Sequence, residues 1–133
     1  LTPHHLPVRV YYEDTDFSGV VYHASYLRFL ERGRTEYVRS LGVDQRALFS
    51  ADPPVALAVR RMSLDFLKPA LMDDLLTIET ALADARGASL DLAQRILRAD
   101  EVLLTAQVQV AAVARGRPVR LPDALRAALP GRG

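Results

Sequence analysis

The spacing of apolar residues changes period twice along the chain. Val8, Val10 and Tyr12 alternate with Arg9 and Tyr11, the two-residue period of a short, half-buried strand. A polar run follows, Glu13-Asp14-Thr15-Asp16-Phe17-Ser18-Gly19, in which Gly19 permits an unusual backbone angle. From about His23 to Leu41 the period becomes helical. Leu27, Leu30, Tyr37, Val38 and Leu41 recur every three or four positions, while Arg28, Arg32 and Arg39 hold the other face. Gly42 supplies a C-terminal stop. Gly33 lies inside this helix, where glycine costs about 1 kcal/mol relative to alanine. Its presence there predicts close approach of a strand or of a partner helix.

A short turn or helix near Asp44 to Phe49 leads to Pro53-Pro54, and Val55 to Arg115 then reads as strand. Leu76, Ile78 and Leu82 alternate with Thr77 and Glu79; Leu90, Leu92 and Ile96 with Asp91 and Arg95; Val102 to Val110 with Thr105, Gln107 and Gln109. The breaks at Lys68-Pro69, Asp73-Asp74, Arg86-Gly87 and Ala99-Asp100-Glu101 carry turn chemistry. Within Val55 to Phe66 the apolar side moves from odd positions (Val55, Leu57, Val59) to even ones (Met62, Leu64, Phe66). A regular strand cannot bury both sets on one face, so an extra residue at Arg60-Arg61, a β-bulge, is predicted. Pro122 to Leu129 reads as a short final helix. With no internal repeat or linker, the chain is one domain, 1–133, of the α+β class, with one long helix on one face of an antiparallel sheet.

Composition narrows the function more than the fold. Half of the 133 residues are hydrophobic and a quarter charged, the balance of an ordinary globular domain. No run approaches the ~18 apolar residues of a membrane span. The opening LTPHHLPVRV lacks a basic segment followed by an apolar one, so no export signal is read and the expected compartment is the cytoplasm. The absence of cysteine excludes disulfides, thiolate metal sites and a cysteine nucleophile. A net charge of +1 provides no global field for nucleic acid or an anionic membrane. Of the 17 basic residues only Lys68 is a lysine. A codon bias accounts for that; so does phosphate binding by some of the arginines, whose planar fork suits phosphate.

Candidate chemistry concentrates in residues 8 to 37, where a strand ends, Glu13, Asp14 and Asp16 follow, and a helix begins near His23. A helix start offers unpaired N–H groups and partial positive charge. Aimed at a carbonyl oxygen, one such donor is worth about 2.7–4 kcal/mol in acyl transfer. A nearby carboxylate can serve as nucleophile or general base on the same carbonyl. On the residues alone, an acidic loop before a helix is usually solvated or caps the helix. The three acids lack the full calcium-loop pattern, and His4-His5 stands alone near the terminus, so no metal or other cofactor is expected.

The run YYEDTDFSGVVYHASYLRFLERGRTEY closely resembles the Tol-Pal-associated acyl-CoA thioesterases, a branch of the hotdog superfamily. It is similar, more distantly, to 4-hydroxybenzoyl-CoA thioesterase. The resemblance continues through VRRMSLDFLKPALMDDLLTIET, RGASL and LAQRIL, over roughly residues 7 to 115. It implies a five-stranded antiparallel sheet wrapped around one long central helix, paired into a homodimer or homotetramer. It further implies that Asp16 is the catalytic carboxylate, that the His23 N–H polarises the thioester carbonyl, and that the Tyr12 and His23 side chains line the site. Arg86 and Ser89 occupy the columns that bind the nucleotide end of coenzyme A, beside Gly87 and Ala88 where the relative carries basic residues.

The expected reaction is hydrolysis of an acyl-CoA to acid and CoA, with Asp16 as nucleophile or as base toward water. A hydratase or dehydratase on the same fold is the rival within enzymes; the Asp-Thr-Asp loop favours hydrolysis. An acyl-carrier-protein thioesterase would run the same chemistry on a different carrier. A non-catalytic binding partner of acyl-CoA or acyl carrier protein, with a link to phospholipid metabolism, is the rival from outside catalysis. For the dimer, the long helix is expected near the interface, with Val102 to Val110 a candidate edge strand that the partner covers.

Overall fold

In a computed structural model the structure describes residues 2–129; the two extremities of the 1–133 domain reading lie outside them. Strand β1 (His4–Arg9) leads through a 3₁₀ turn (Tyr12–Asp14) to helix α1 (His23–Ser40) and the short α2 (Gln45–Ser50). Four long strands follow: β2 (Ala56–Phe66), β3 (Leu75–Ala85), β4 (Ser89–Arg98) and β5 (Glu101–Ala114). The two-residue β6 (Arg117–Pro118) and helix α3 (Asp123–Ala128) close the described chain. The sheet is antiparallel in the order β1-β3-β4-β5-β2, with β6 added to β5. The five expected strands are therefore joined by a short sixth. The sheet curls around α1, which is the hotdog arrangement the resemblance implies.

Alternation decides which face meets the helix. Leu76, Ile78 and Leu82 on β3, Leu90, Leu92 and Ile96 on β4, and Leu104, Ala106 and Val108 on β5 are buried. From α1 the buried residues are Tyr26, Phe29, Leu30, Gly33, Tyr37 and Val38. Phe29 and Leu30 are fully buried, and each such side chain contributes about 1.5–3 kcal/mol. Leu27, expected on this stripe, is 39% exposed because Tyr26 and Phe29 take the core-facing positions.

Gly33 sits where helix and sheet come closest. A Cβ there would lie 2.5 Å from Ile78 Cγ2, 3.1 Å from Thr80 Oγ1 and 3.2 Å from Gln94 Nε2. The close approach that Gly33 predicts is to the sheet. It lets the buried Gln94 amide donate to the Leu30 carbonyl (3.0 Å) and to Thr80 Oγ1 (2.9 Å), while its Oε1 accepts from Arg34 Nη1 (3.1 Å). A buried amide with both ends satisfied fixes the helix on the sheet.

The bulge occurs where the phase change predicts it. The β2–β5 register shifts between Val59 and Arg61, so Val59 pairs with Val110 and Arg61 with Gln109. Two sequence expectations need correction. Tyr12 belongs to the 3₁₀ turn rather than to β1, which begins earlier, at His4. The strand containing Val102 to Val110 is interior, between β4 and β2; the sheet edges are β1 and β2. Strand β5 is apolar because one face is buried in the core and it has neighbours on both sides, and alternation alone cannot distinguish such a strand from an apolar edge.

Candidate active site

The loop between β1 and α1 is held at both ends by Asp14. This buried residue accepts the Tyr11 N–H on Oδ2 (2.8 Å), and its carbonyl accepts the Tyr22 N–H (2.9 Å). Between these ties Thr15 bridges to Val21, and the Asp16 N–H donates to the Val20 carbonyl (2.9 Å). The turn closes with the Gly19 N–H on the Asp16 carbonyl (3.1 Å), at φ +87°, a conformation glycine adopts without strain. Asp16 thus stands at the tip of a tight hairpin, partly exposed, one short connection before α1.

Its two carboxylate oxygens are not equivalent. Oδ1 accepts the Ser18 hydroxyl (2.5 Å) and the Ser18 N–H (2.9 Å). These two donors, the hydroxyl first, hold the Asp16 carboxyl below the ordinary carboxylate range. Oδ2 has no hydrogen-bond partner among the described residues. The carboxylate is therefore ionised at neutral pH with one oxygen uncommitted.

Helix α1 begins without a side-chain cap. Its first residue is His23; Tyr22 offers no side-chain bond, and the Ser25 N–H turns back to the Tyr22 carbonyl (2.8 Å). The N–H groups of His23 and Ala24 have no partner among the described residues. They are free donors at the positive end of an 18-residue helix. The exposed His23 imidazole tilts against the Tyr22 ring, centroids 4.4 Å apart. Tyr12 is 80% exposed and its backbone carbonyl accepts the Thr15 hydroxyl (2.7 Å).

A second segment buttresses this loop from below. The Val21 N–H donates to the Ala70 carbonyl (2.9 Å), and the Ala70 N–H donates to the Tyr26 hydroxyl oxygen (2.9 Å). Burial pushes the Tyr26 phenol up, so it stays protonated. Asp74 accepts the Leu71 N–H (2.8 Å) and Arg98 Nη1 (2.7 Å), and its carbonyl takes the Val10 N–H (2.9 Å). Sequence reasoning does not find Ser18, Tyr26, Asp74 or Arg98. The Asp-x-Ser spacing is a known side-chain turn pattern and is a usable signal for Ser18. The Asp74–Arg98 pair, formed between the connection before β3 and the end of β4, has none.

Arg86 and Ser89 lie elsewhere. They flank the β3–β4 turn, at the far end of β3 from the loop of Asp16. Leu75 to Ala85 covers the 11 residues of β3, roughly 33 Å at the rise of an extended strand. Arg86 is already paired with Asp84 (3.1 Å) and Asp91 (2.7 Å). The hollow best suited to an acyl group is also remote. It measures about 380 Å³, lies between α1 and the sheet, and is lined by Val38, Leu57, Val59, Leu92 and Val110 with Arg34. Arg34 is roughly 16 Å along the helix from His23. One chain carries Asp16 and the helix start on the same short loop, with the hollow and the turn of Arg86 and Ser89 elsewhere.

An uncommitted carboxylate on the hairpin that leads into free helix-start donors is equipment suited to acyl transfer, and comparison with known proteins shows the class of chemistry. Residues 10–129 match the family model described as the thioesterase-like superfamily. The chain belongs to that superfamily. Its class of chemistry is thioester hydrolysis. The chain is 45% identical over 124 residues to the acyl-CoA thioesterase YbgC of Haemophilus influenzae, covering 92% of this chain and 90% of that one. It is 47% identical over 122 residues to the acyl-CoA thioester hydrolase YbgC of Escherichia coli O6:H1, covering 90% of each. A crystal structure of a probable thioesterase from Bartonella henselae superposes with a TM-score of 0.88 at 44% identity, over 91% of this chain and all of the other. The thioesterase is thus a hotdog protein, and none of its described helices is long and apolar enough to cross a membrane.

Proposed function

We propose that this thioesterase hydrolyses acyl-CoA, with Asp16 as the attacking carboxylate and the His23 N–H as the oxyanion donor. The observation that carries the reading is the pairing of a free Asp16 Oδ2 with an uncapped helix start on the same loop. Oδ2 adds to the thioester carbonyl carbon, and the negative charge forming on the carbonyl oxygen is met by the helix-start N–H. The C–S bond breaks, the CoA thiolate takes a proton from solvent, and an acyl–Asp16 anhydride remains. Water then cleaves the anhydride, releasing the acid and restoring Asp16. A carboxyl held below its ordinary range is a weak base and is ionised at neutral pH. That favours direct attack over activation of water. Tyr12 and the His23 imidazole line the entrance in this reading.

The complete site requires two chains. Edge strand β2 is exposed along most of its length. Antiparallel pairing of β2 with its own copy gives an isologous dimer. It brings the Phe66 end of one strand, which carries the Tyr26 end of α1 against it (ring centroids 5.7 Å), to the Ala56 end of the other. The hollow beside Leu57 and Val59, and the turn of Arg86 and Ser89, then approach the partner's catalytic loop. Arg86 and Ser89 serve the nucleotide end of CoA in this assembly, and two such dimers make a tetramer.

A cytoplasmic enzyme acting on lipid-derived acyl groups, associated with the Tol-Pal system, completes the proposal. Acyl carrier protein is the second candidate carrier. The test is release of free thiol from a panel of short-chain, long-chain and aromatic acyl-CoAs by the wild-type enzyme and by Asp16→Asn. Turnover by the wild type that is abolished in the variant supports the reading; equal turnover by both refutes it.

A further inference from the structure

The bulge in β2 redistributes charge along the strand. Val59 points inward, pairing with the buried Val110, so Arg60, next along the strand, points outward. Met62 also points inward, opposite the buried Val108, so Arg61 points outward too, opposite Gln109. The extra residue therefore sets two consecutive guanidinium groups on the convex face of the sheet. Neither makes an ion pair or a hydrogen bond among the described residues, whereas Lys68, Arg86, Arg95 and Arg98 are all paired with carboxylates. Arg61 lines a hollow of about 370 Å³ together with Ser63, Arg86, Asp91, Gln107 and Gln109. The Arg86 charge in this basin is already answered by Asp84 and Asp91. Of the two arginines that line this hollow, Arg61, with Arg60 beside it in the strand, is the one without a carboxylate partner among the described residues.

We propose that the Arg60–Arg61 bulge and its basin form a binding subsite for the phosphate groups of the CoA carrier, with Arg86 as a rim residue held in place by its two aspartates. Two arginine forks, a serine hydroxyl and two glutamine amides supply the donors that phosphate oxygens need. The dimer adds to the requirement. Full-length pairing of the 11-residue β2 with its copy puts residue 61 on the two-fold axis. Four like charges then converge on the convex face, and a bound polyanion relieves their repulsion.

This subsite rests on the acyl-CoA reading, and its test separates the two. Steady-state kinetics are compared for wild type, Arg61→Gln, Arg61→Lys and Arg60→Gln on one acyl group carried by CoA, 4′-phosphopantetheine and pantetheine. Binding of adenosine 3′,5′-bisphosphate is measured by calorimetry on the same proteins. For Arg61→Gln the expected result is a roughly tenfold rise in KM for acyl-CoA with kcat within about twofold, as for loss of a hydrogen bond to a charged group. Acyl-pantetheine should be unaffected, and Arg61→Lys should restore part of the loss. Weakened bisphosphate binding in Arg61→Gln or Arg60→Gln supports the subsite even where turnover is unchanged. A penalty shared by acyl-phosphopantetheine assigns the contact to the pantetheine phosphate, within the same subsite. An equal penalty on all three carriers, or bisphosphate binding and kinetics unaltered in every variant, overturns it. Failure of the wild type to hydrolyse any of the three refutes the acyl-CoA reading itself.

Discussion

The two ends of α1 are built on opposite plans. Around Gly33 the helix touches the sheet closely enough that no Cβ fits, and every polar atom of the Gln94 side chain is engaged. At His23 the helix starts with no side-chain cap, free N–H groups and an exposed ring. Helices usually satisfy their first turn with a Ser, Thr, Asp or Asn cap worth about 1 kcal/mol. This one forgoes the cap on the loop that carries Asp16. The difference shows how one helix can combine a closely packed, fully satisfied middle with an end whose donors stay open, the arrangement the proposed chemistry needs.

The contrast breaks most visibly at the open end. Asp16→Asn preserves shape but removes the charge and the attacking oxygen, so kcat should fall at least ~10²-fold with folding intact. Mass spectrometry of rapidly quenched wild-type enzyme should show acyl transfer to the peptide bearing Asp16. Unimpaired turnover in the variant would falsify the assignment. His23→Ala retains the backbone donor and should keep measurable activity, whereas His23→Pro removes it and should lose ~10²–10³-fold. Equal losses with preserved circular dichroism would assign chemistry to the imidazole instead.

Disturbing the closed end should affect stability first. Gly33→Ala places a methyl group against Ile78, and overpacking of this kind costs about 1–3 kcal/mol. Urea unfolding should show it, with activity declining only as the helix is displaced. An unchanged midpoint would mean that the helix shifts at no cost and that the contact does not hold it. Asp14→Asn should cost about 1 kcal/mol, the size of a cap-type bond, and far less turnover than Asp16→Asn. A dead but folded Asp14→Asn would reverse the two roles.

The finest test concerns Ser18. Its two donors hold Asp16 below the usual range, and attack needs the ionised form. Activity should therefore persist as pH falls and be lost only below ordinary carboxylate titration. Ser18→Ala removes the larger cause, so the acid limb of the kcat/KM profile should move to higher pH while the rate at neutral pH changes little. An unmoved limb would assign it to another group. The oligomeric proposal has a direct check: sedimentation at micromolar concentration should give at least twice the mass of one chain. Fully active monomers would rule it out.

The long helix, the run of strands, the β2 bulge and the closeness at Gly33 are legible in the sequence because each depends on periodicity or on one residue's stereochemistry. The Asp-Thr-Asp loop before a helix is legible for the same reason: neighbours in the chain are neighbours in space. What tertiary structure decided was pairing between distant segments. Strand β5 reads as a possible edge from its alternation and lies inside; β2, whose Arg60 and Arg61 have no partner among the described residues, is one of the two edges, with β1 the other. Gln94 reads as one polar position in a strand and is the buried link to α1. Arg86, grouped with Asp16 by resemblance, sits at the opposite end of the sheet and is neutralised by Asp84 and Asp91. Local pattern specifies what each segment is, because dihedral preference and side-chain period act within a few residues. Which segments meet, and which charges remain unanswered when they do, depends on strand order and register, and those exist only once the sheet has closed around the helix.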